Sequence, residues 1–333
     1  MKREAIRRRE FIAGVTGSLV AWPLPTAAQE SAVPVIGYFS TGSLASDETT
    51  FLTAFRQGMA QTGYVEGRNV AIKYGWGEFQ YDQLPTIAAS LVRHPVVAIA
   101  AIGGTPTALV AKAATSTIPI VIYSGIDLVH SGLIASFNRP SGNVTGIAAL
   151  QADLIKKRVE VLHELAPHAA LVALIVNPKN PYTEPEIRAL QEGANSLGIR
   201  LHALHASTAD EISKCFGALA DVRAGALLVS ADLYLWSQRQ QFVALAAHHA
   251  IPVVFPWREY VDAGGLMSYG PNLFDAHRLI GVYIGKILRG ANPADLPVEQ
   301  VTKVEFLINL KTSNKLGVAF PTALLVRADE VIE

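Results

Sequence analysis

The sequence predicts an α/β protein of two doubly wound parallel-sheet lobes joined by a three-strand hinge, and three observations carry that prediction. At 333 residues the chain exceeds the usual size of one core and fits two. A series of strand and helix patterns beginning at Val35 recurs from Leu171 at a steady spacing: Gly63 and Gly198 lie 135 positions apart, Pro119 and Pro252 lie 133 apart, and Val35 and Leu171 lie 136 apart. The sharpest strand pattern, Ile120 to Tyr123, is a short all-apolar run, as expected of a strand covered on both faces. Half of the residues are hydrophobic and 17% are charged, enough apolar material to bury two such sheets.

The amino terminus reads as a targeting segment. Arg8-Arg9-Glu10-Phe11-Ile12 forms a twin-arginine pattern, the weakly apolar stretch from Phe11 to Leu24 is too short to span a bilayer, and Thr26-Ala27-Ala28 supplies the small residues of a cleavage site. Residues 1–28 are therefore expected to be a signal peptide, cut after Ala28. No lipobox cysteine follows, so a soluble periplasmic protein without a lipid anchor is expected. The formal net charge is zero, and the first ten residues carry five Lys or Arg against two Glu. The remainder is thus slightly acidic, with no electrostatic case for nucleic acid.

In the first lobe, strands are expected at Val35 to Phe39, Val70 to Tyr74 and Val96 to Ile102, with helices at Asp47 to Thr62, Tyr81 to Arg93 and Thr105 to Thr115. Ser40-Thr41-Gly42-Ser43, between strand and helix, places hydroxyls and backbone N–H groups where an anion could sit, or where they could cap the helix. Gly103-Gly104-Thr105-Pro106 opens the third helix with normal start signals, while its glycines let the backbone approach whatever lies above. No G-x-G-x-x-G or P-loop occurs. The run from Ile120 leaves through Ser124 and Asp127 into the Pro/Gly-rich passage Asn138 to Gly146, expected to carry the chain into the second lobe.

A helix from Gln151 to Leu165 precedes the second series: strands Leu171 to Val176, Ile199 to Leu204 and Ala226 to Val229, helices Glu184 to Leu197, Thr208 to Asp221 and Ser237 to His249, then Ile251-Pro252. Its strands end in loops holding Asn177 and Tyr182, Asp232 and Tyr234, and Trp257. Ala263-Gly264-Gly265 reads as a flexible joint, and Leu266 to Tyr269 as a strand returning to the first lobe. An amphipathic helix follows on Leu273, Ala276, Ile280, Ile284 and Ile287, stopped by Gly290. Val304 to Ile308 and Lys311 to Leu316 are assigned to the second lobe. The expected division is 33–146 plus 265–297 for lobe 1 and 147–264 plus 298–333 for lobe 2.

Ligands of open α/β sheets bind beyond the carboxyl ends of the strands, so the loops of the two lobes should face one another. Trp76, Trp236 and Trp257 all fall just after expected strands, as do Tyr123, Tyr182, Tyr234 and Tyr269, and rings there would give an aromatic wall or roof the core. Asp127 and Asp232 end strands of opposite lobes; either could meet an ammonium group or serve as a cap. Arg258-Glu259 reads as a surface or hinge pair. Catalytic and metal patterns such as G-x-S-x-G or H-E-x-x-H are absent, and no cofactor or catalytic residue is assigned. The single cysteine, Cys215, shares helical spacing with Ile212, Phe216 and Leu219, which points to core packing.

The chain resembles ABC transporter substrate-binding proteins of the tryptophan/tyrosine type. The likeness covers nearly the whole mature chain and is densest in Gly132-Leu-Ile-Ala-Ser-Phe-Asn-Arg-Pro-Ser-Gly-Asn-Val-Thr-Gly146, Gly264-Gly-Leu-Met-Ser-Tyr-Gly-Pro271, Ile308-Asn-Leu-Lys-Thr312 and the final Leu325 to Glu333. It departs where the family has Asp-Pro-Val and this chain Asp127-Leu-Val, and at Pro140-Ser-Gly-Asn for Pro-Gly-Gly-Asn. The resemblance implies a type I periplasmic binding protein fold and capture of a small solute such as an aromatic amino acid for a membrane permease driven by a cytoplasmic ATPase; the protein is expected to be a monomer. On that footing Ser40, Thr41, Ser43, Thr105 and Ser124, beside Gly104, would hold a carboxylate. Asp127 or Asp232 would take the ammonium, and Trp257, Tyr234 and Tyr269, with Tyr123, Asn177 and Tyr182 nearby, would enclose the body. A sensory binding protein serving a membrane receptor, or an exported enzyme using the same cleft, are the alternative readings.

Overall fold

The computed structural model describes residues 33–333 except 150 and 302, so the expected signal peptide lies outside the described residues. The first half runs β1 (Val35–Ser40), α1 (Leu44–Asp47), a π-helical turn (Glu48–Leu52), α2 (Thr53–Gln61), β2 (Ala71–Trp76), α3 (Leu84–Arg93), β3 (Val96–Ala101), α4 (Thr105–Ala114), β4 (Ile120–Ser124), β5 (Val144–Ala148) and α5 (Gln151–Leu165). The second half repeats it as β6 (Leu171–Val176), α6 (Thr183–Ser196), β7 (Arg200–His205), α7 (Ala209–Asp221), β8 (Ala226–Val229), α8 (Leu233–Ser237), α9 (Arg239–His248), β9 (Val253–Phe255), α10 (Arg258–Asp262), β10 (Met267–Pro271) and α11 (Leu273–Leu288). The tail adds β11 (Glu299–Gln300), β12 (Val304–Asn309), α12 (Leu310–Leu316), α13 (Thr322–Arg327) and β13 (Glu330–Ile332).

Two sheets result, ordered β11-β5-β4-β3-β1-β2 and β13-β12-β10-β9-β8-β6-β7. The first is parallel throughout, and in the second only β10 and β12 run antiparallel. Each half therefore winds its first five strands in the same order, which is why the spacing of the sequence repeat holds. The strand period explains the apolar runs: Ile36 and Tyr38 enter the core layer shared with Phe55 and Ile280, while Phe39 enters the opposite layer with Leu91 and Ile122. In β6, likewise, Ala173 and Ile175 face one layer and Val172, Leu174 and Val176 the other.

Three sequence expectations are corrected. The passage Asn138 to Gly146 does not simply leave the lobe, because its end becomes β5, a fully buried strand beside β4. Gly146 hid that strand in the sequence; it sits at φ 146°, and a Cβ there would meet the backbone of Ile122. Asn143 secures the strand's entry, donating through Nδ2 to the carbonyls of Thr115 (3.0 Å) and Ile118 (2.8 Å). Second, β10 stays in the second sheet, between β9 and β12, and the return to the first lobe begins only after Pro271. Third, Ala263-Gly264-Gly265 is no interlobe joint: it ends α10, with Gly264 at φ 103° and the Gly265 N–H donating to the Tyr260 carbonyl.

The crossing helices change sides. α5 follows the last long strand of the first half yet packs on α6, β9 and β10; α11 follows β10 yet packs on α2, β3, β4 and β5. Each lobe is thus completed by a helix from the other half. α11 buries Leu273, Ala276, Ile280, Ile284 and Ile287 in the first lobe, and the larger aliphatic chains contribute about 1.5–3 kcal/mol apiece. Its approach to α2 is close enough that a Cβ at Gly281 would meet the Phe55 carbonyl and one at Gly58 the Arg278 carbonyl. Gly281→Ala is accordingly expected to destabilise by about 1–3 kcal/mol or more, because two helix backbones must separate. Gly217→Ala, in the middle of α7 with nothing within 4 Å of the added Cβ, should instead be neutral or gain about 0.5–1 kcal/mol. Urea unfolding of the two variants checks the contrast.

Candidate functional site

A cavity of about 410 Å³ lies where the carboxyl ends of the two sheets meet. Its first-lobe wall is made by Tyr81, by Ile102 to Pro106 between β3 and α4, by Tyr123 and Gly125 to Asp127 beyond β4, and by Leu273 and His277 of α11. From the second lobe come Asn180 and Tyr182 after β6, Pro185, Glu186 and Ala189 of α6, Ala231 and Leu233 after β8, Trp257 after β9, and Ile155 of α5.

One side-chain cluster ties the lobes together beside this cavity. The Asp232 carboxylate, buried at the start of α8, receives four donors: Asn177 Nδ2 (3.1 Å) and the Leu235 N–H (3.0 Å) on Oδ1, and Asn180 Nδ2 (3.0 Å) and Tyr81 Oη (2.6 Å) on Oδ2. Tyr81 comes from the first lobe. Burial, followed by the nearby Asp232 charge and the hydrogen bond to it, raises its phenol well above the usual range, so it stays a donor. Ring contacts flank the bond, with Phe79 edge-on to Tyr234 at 5.6 Å and Phe51 against Trp236 at 4.6 Å. Glu78 and Phe79 hold left-handed backbone (φ 48° and 59°), a strained arrangement kept by N–H bonds from Gly77, Glu78 and Phe79 to the carbonyls of Ser40, Gly42 and Thr41. That loop carries Phe79 and Tyr81 to the opposite lobe.

The cavity's own polar groups fall into three sets. α4 opens at the cavity with Gly104 at φ 79°, presenting a helix N-terminus. Glu186 accepts from Ser230 Oγ (2.5 Å) and the Ala231 N–H (3.2 Å); burial raises its carboxyl, and those bonds and the Arg158 charge oppose the rise. Finally, Tyr123 Oη, Trp257 Nε1 and His277 Nε2 are buried with no hydrogen-bond partner, a condition that costs about 1–3 kcal/mol for each group left unsatisfied. Burial holds the His277 ring neutral, its pKa lowered to about 4, with Nδ1 2.6 Å from the Leu273 carbonyl. Among the described residues no cluster of His, Cys, Asp and Glu could hold a metal, and no helix is long and apolar enough to cross a membrane.

Residues 46–332 match the family described as ABC transporter substrate binding protein. The chain belongs to that family. It is 26% identical over 262 residues to a tyrosine-binding protein of Clostridioides difficile (strain R20291), covering 79% of this chain and 75% of the relative. Among solved structures it is similar to a conserved domain protein from Vibrio cholerae (TM-score 0.80, 24% identity) and to an ABC domain in complex with L-Trp from Streptococcus pneumonia (TM-score 0.78, 23% identity), each covering 90% of this chain and 99% of the other. The shared fold is that of type I periplasmic binding proteins.

In this substrate-binding protein, Gly104, Thr105, Tyr123, Asp127, Tyr182 and Trp257 lie on the cavity wall. Asp127 there uses Oδ1 to accept the N–H groups of Val129 and His130. The others stand elsewhere. Ser124 is buried behind the wall, its Oγ 2.9 Å from Thr105 Oγ1. Asn177 and Asp232 belong to the interlobe cluster, and Tyr234 to its flank. Tyr269 packs on Phe306 and gives its carbonyl to Arg158 Nε (2.8 Å). Trp76 stacks on Tyr74 and Trp236 packs on Phe51, whereas Trp257 lines the cavity.

The loop expected to cradle an outside carboxylate already holds an internal one. Ser40 Oγ donates to Asp47 Oδ2 (2.5 Å) and Ser46 Oγ to Asp47 Oδ1 (2.8 Å), while Ser43 bonds Ser46 and Thr41 Oγ1 donates to the Gly103 carbonyl. Arg258 turns away from Glu259 to Asp262, Glu305 and Glu330, leaving Glu259 Oε2 buried and unbonded, its carboxyl pushed up by burial to about 7. Sequence reasoning missed Tyr81, Asn180, Glu186 and His277, which sit in helices or polar loops with no distinguishing local signal.

Burial pushes the Asp47 carboxyl from 3.8 up to about 6, with the bonds from Ser40 and Ser46 opposing. The folded state therefore holds that proton more tightly than the unfolded chain. The resulting stability is complete below about pH 4 and lost as pH rises to about 6. Asp47→Asn should flatten this part of the profile by up to about 3 kcal/mol, read by urea unfolding at stepped pH; Glu259 adds a slope of the same sign up to about 7. Tyr81→Phe should leave the fold intact and release bound solute roughly tenfold faster, since it deletes a charge-assisted bond made only when the lobes meet. Stopped-flow release kinetics measure it, and an unchanged rate would exclude the clasp.

Proposed function

We propose that this protein captures an amino acid with a planar, largely apolar side chain in the periplasm and presents it, enclosed between two closed lobes, to an ABC permease and its cytoplasmic ATPase. The observation that carries this reading is the interlobe cavity itself: apolar and aromatic along its length, with a helix N-terminus on one lobe and a carboxylate on the other. The amino-terminal signal read in the sequence and the family membership both support an exported, transport-linked role.

In this reading the solute carboxylate sits at the start of α4, near Gly104 and Thr105, where backbone N–H groups and the helix dipole favour negative charge. The ammonium faces Glu186, with Asp127 on the opposite rim. Asp232, considered for that role from the sequence, is already saturated by four donors and serves closure instead. Ile155, Leu273, Tyr182 and Trp257 enclose the side chain. The named ligands of two relatives, tyrosine and L-Trp, fit this class of solute. No residue set along the cavity assembles a nucleophile with a base and an oxyanion site, which favours carriage over turnover.

Thermal unfolding with millimolar L-tyrosine, L-tryptophan, L-phenylalanine or L-lysine tests the proposal. An aromatic amino acid should raise Tm on the order of 5 °C and L-lysine should not. Glu186→Gln should abolish most of the gain. Absence of any shift with all three aromatic amino acids would reject this solute class.

A further inference from the structure

Asn272 stands where the second passage between the sheets begins. Across the β10–β12 ladder Gly270 lies opposite Glu305 and Pro271 opposite Val304, and the Asn272 N–H adds a last rung to the Lys303 carbonyl (3.4 Å). Gly270 permits this exit, because a Cβ there would meet the Pro256 carbonyl. Beyond Asn272 the chain turns into α11 and packs on the first lobe.

The Asn272 side chain is committed at both ends. Its Oδ1 accepts the Asp275 N–H (2.8 Å), capping α11, and its Nδ2 donates to Glu305 Oε1 (2.9 Å) in β12. Glu305 is 8% exposed, and its carboxylate also meets Arg258 Nη1 (3.4 Å) and Lys303 Nζ (3.8 Å). The helix belongs to one lobe and the carboxylate to the other, so a single planar amide spans the two. It cannot turn toward one partner without leaving the other, and α11 cannot swing against β12 while both bonds stand. The residue after it, Leu273, and His277 one turn further on, line the cavity.

We propose that Asn272 and Glu305 are positioning residues for solute binding, whose bond pins the angle between the lobes at the hinge. The proposal rests on the solute-binding reading above and goes beyond it by placing control of affinity in two residues that do not line the cavity. Apparent affinity scales with the fraction of molecules in the binding-competent form, so a loosened pin weakens binding with every wall contact intact.

Interlobe distances and solute affinity in three variants test the pin. Spin labels on His130→Cys and Glu184→Cys, exposed positions near the cavity on opposite lobes, report the angle in solute-free protein by pulsed electron spin resonance; the native Cys215 is buried. Asn272→Asp keeps a capping oxygen but sets like charges against each other. Its distances should spread to longer values, and L-tyrosine should bind about tenfold more weakly by calorimetry. Glu305→Gln keeps the acceptor and should match wild type. The double variant Asn272→Asp/Glu305→Gln reverses the bond, the introduced amide donating to the introduced carboxylate, and should restore both readouts, which general damage to the fold would not allow. A folded Asn272→Asp variant with wild-type distances would overturn the proposal, as would a double variant no nearer to wild type than the single one. If wild type binds none of L-tyrosine, L-tryptophan and L-phenylalanine, the solute reading falls and the distances alone decide the pin. Should Asn272→Asp not fold, Asn272→Ser takes its place: it keeps a capping oxygen and loses the Nδ2 donor, and wild-type distances in that variant would count against the pin.

Discussion

A buried carboxylate must be surrounded by donors, and in this protein the donors of Asp232 come from both lobes. Asn177, Asn180 and the Leu235 N–H belong to the lobe of Asp232, whereas Tyr81 reaches it from the other side at 2.6 Å. Uncompensated burial of such a charge is costly, so the lobes either stay closed with Tyr81 in place or open and let water replace it. The Phe79–Tyr234 and Phe51–Trp236 contacts and the cavity itself, all made between the lobes, depend on that choice.

Closure has a mechanical basis in the way the chain is wound. It passes between the sheets three times, after β5, after β10 and after β11, and the first two passages lead directly into α5 and α11. Because those helices pack on the lobe opposite their own strands, each lobe's core is assembled from both halves of the sequence. The glycine contacts between α2 and α11 lock that exchange at backbone distance. In the proposed closure, relative motion of the lobes would fall on these short connections, with the sheets and their covering helices moving as packed bodies.

Much of the fold was legible in the sequence because it follows from local periodicity. The repeat spacing, the apolar runs of β1, β3, β4 and β6 and the amphipathic face of α11 depend on neighbours a few residues away. β5 escaped because Thr145 and Gly146 broke the apolar run, and Gly146 is required there by the approach of Ile122. β10 was assigned to the wrong sheet because its pattern says that it is a strand and nothing about which edge it joins; pairing with Val254 and Phe255 decided that.

By itself the sequence determined that two wound sheets form and that their polar, aromatic loops gather at the carboxyl ends, since strand alternation, helix starts and turn residues act over short range. It could not determine how those loops share their hydrogen bonds. Ser40, Ser43 and Asp232 looked like ligand groups, yet packing gave the serines to Asp47 and Ser46 and gave Asp232 to Tyr81, 151 positions away. Hydrogen-bond saturation is a property of the assembled tertiary structure, in which every donor satisfied internally is one fewer for a solute. That allocation left Tyr123 and Trp257 on the cavity wall, each with a buried polar atom unpaired.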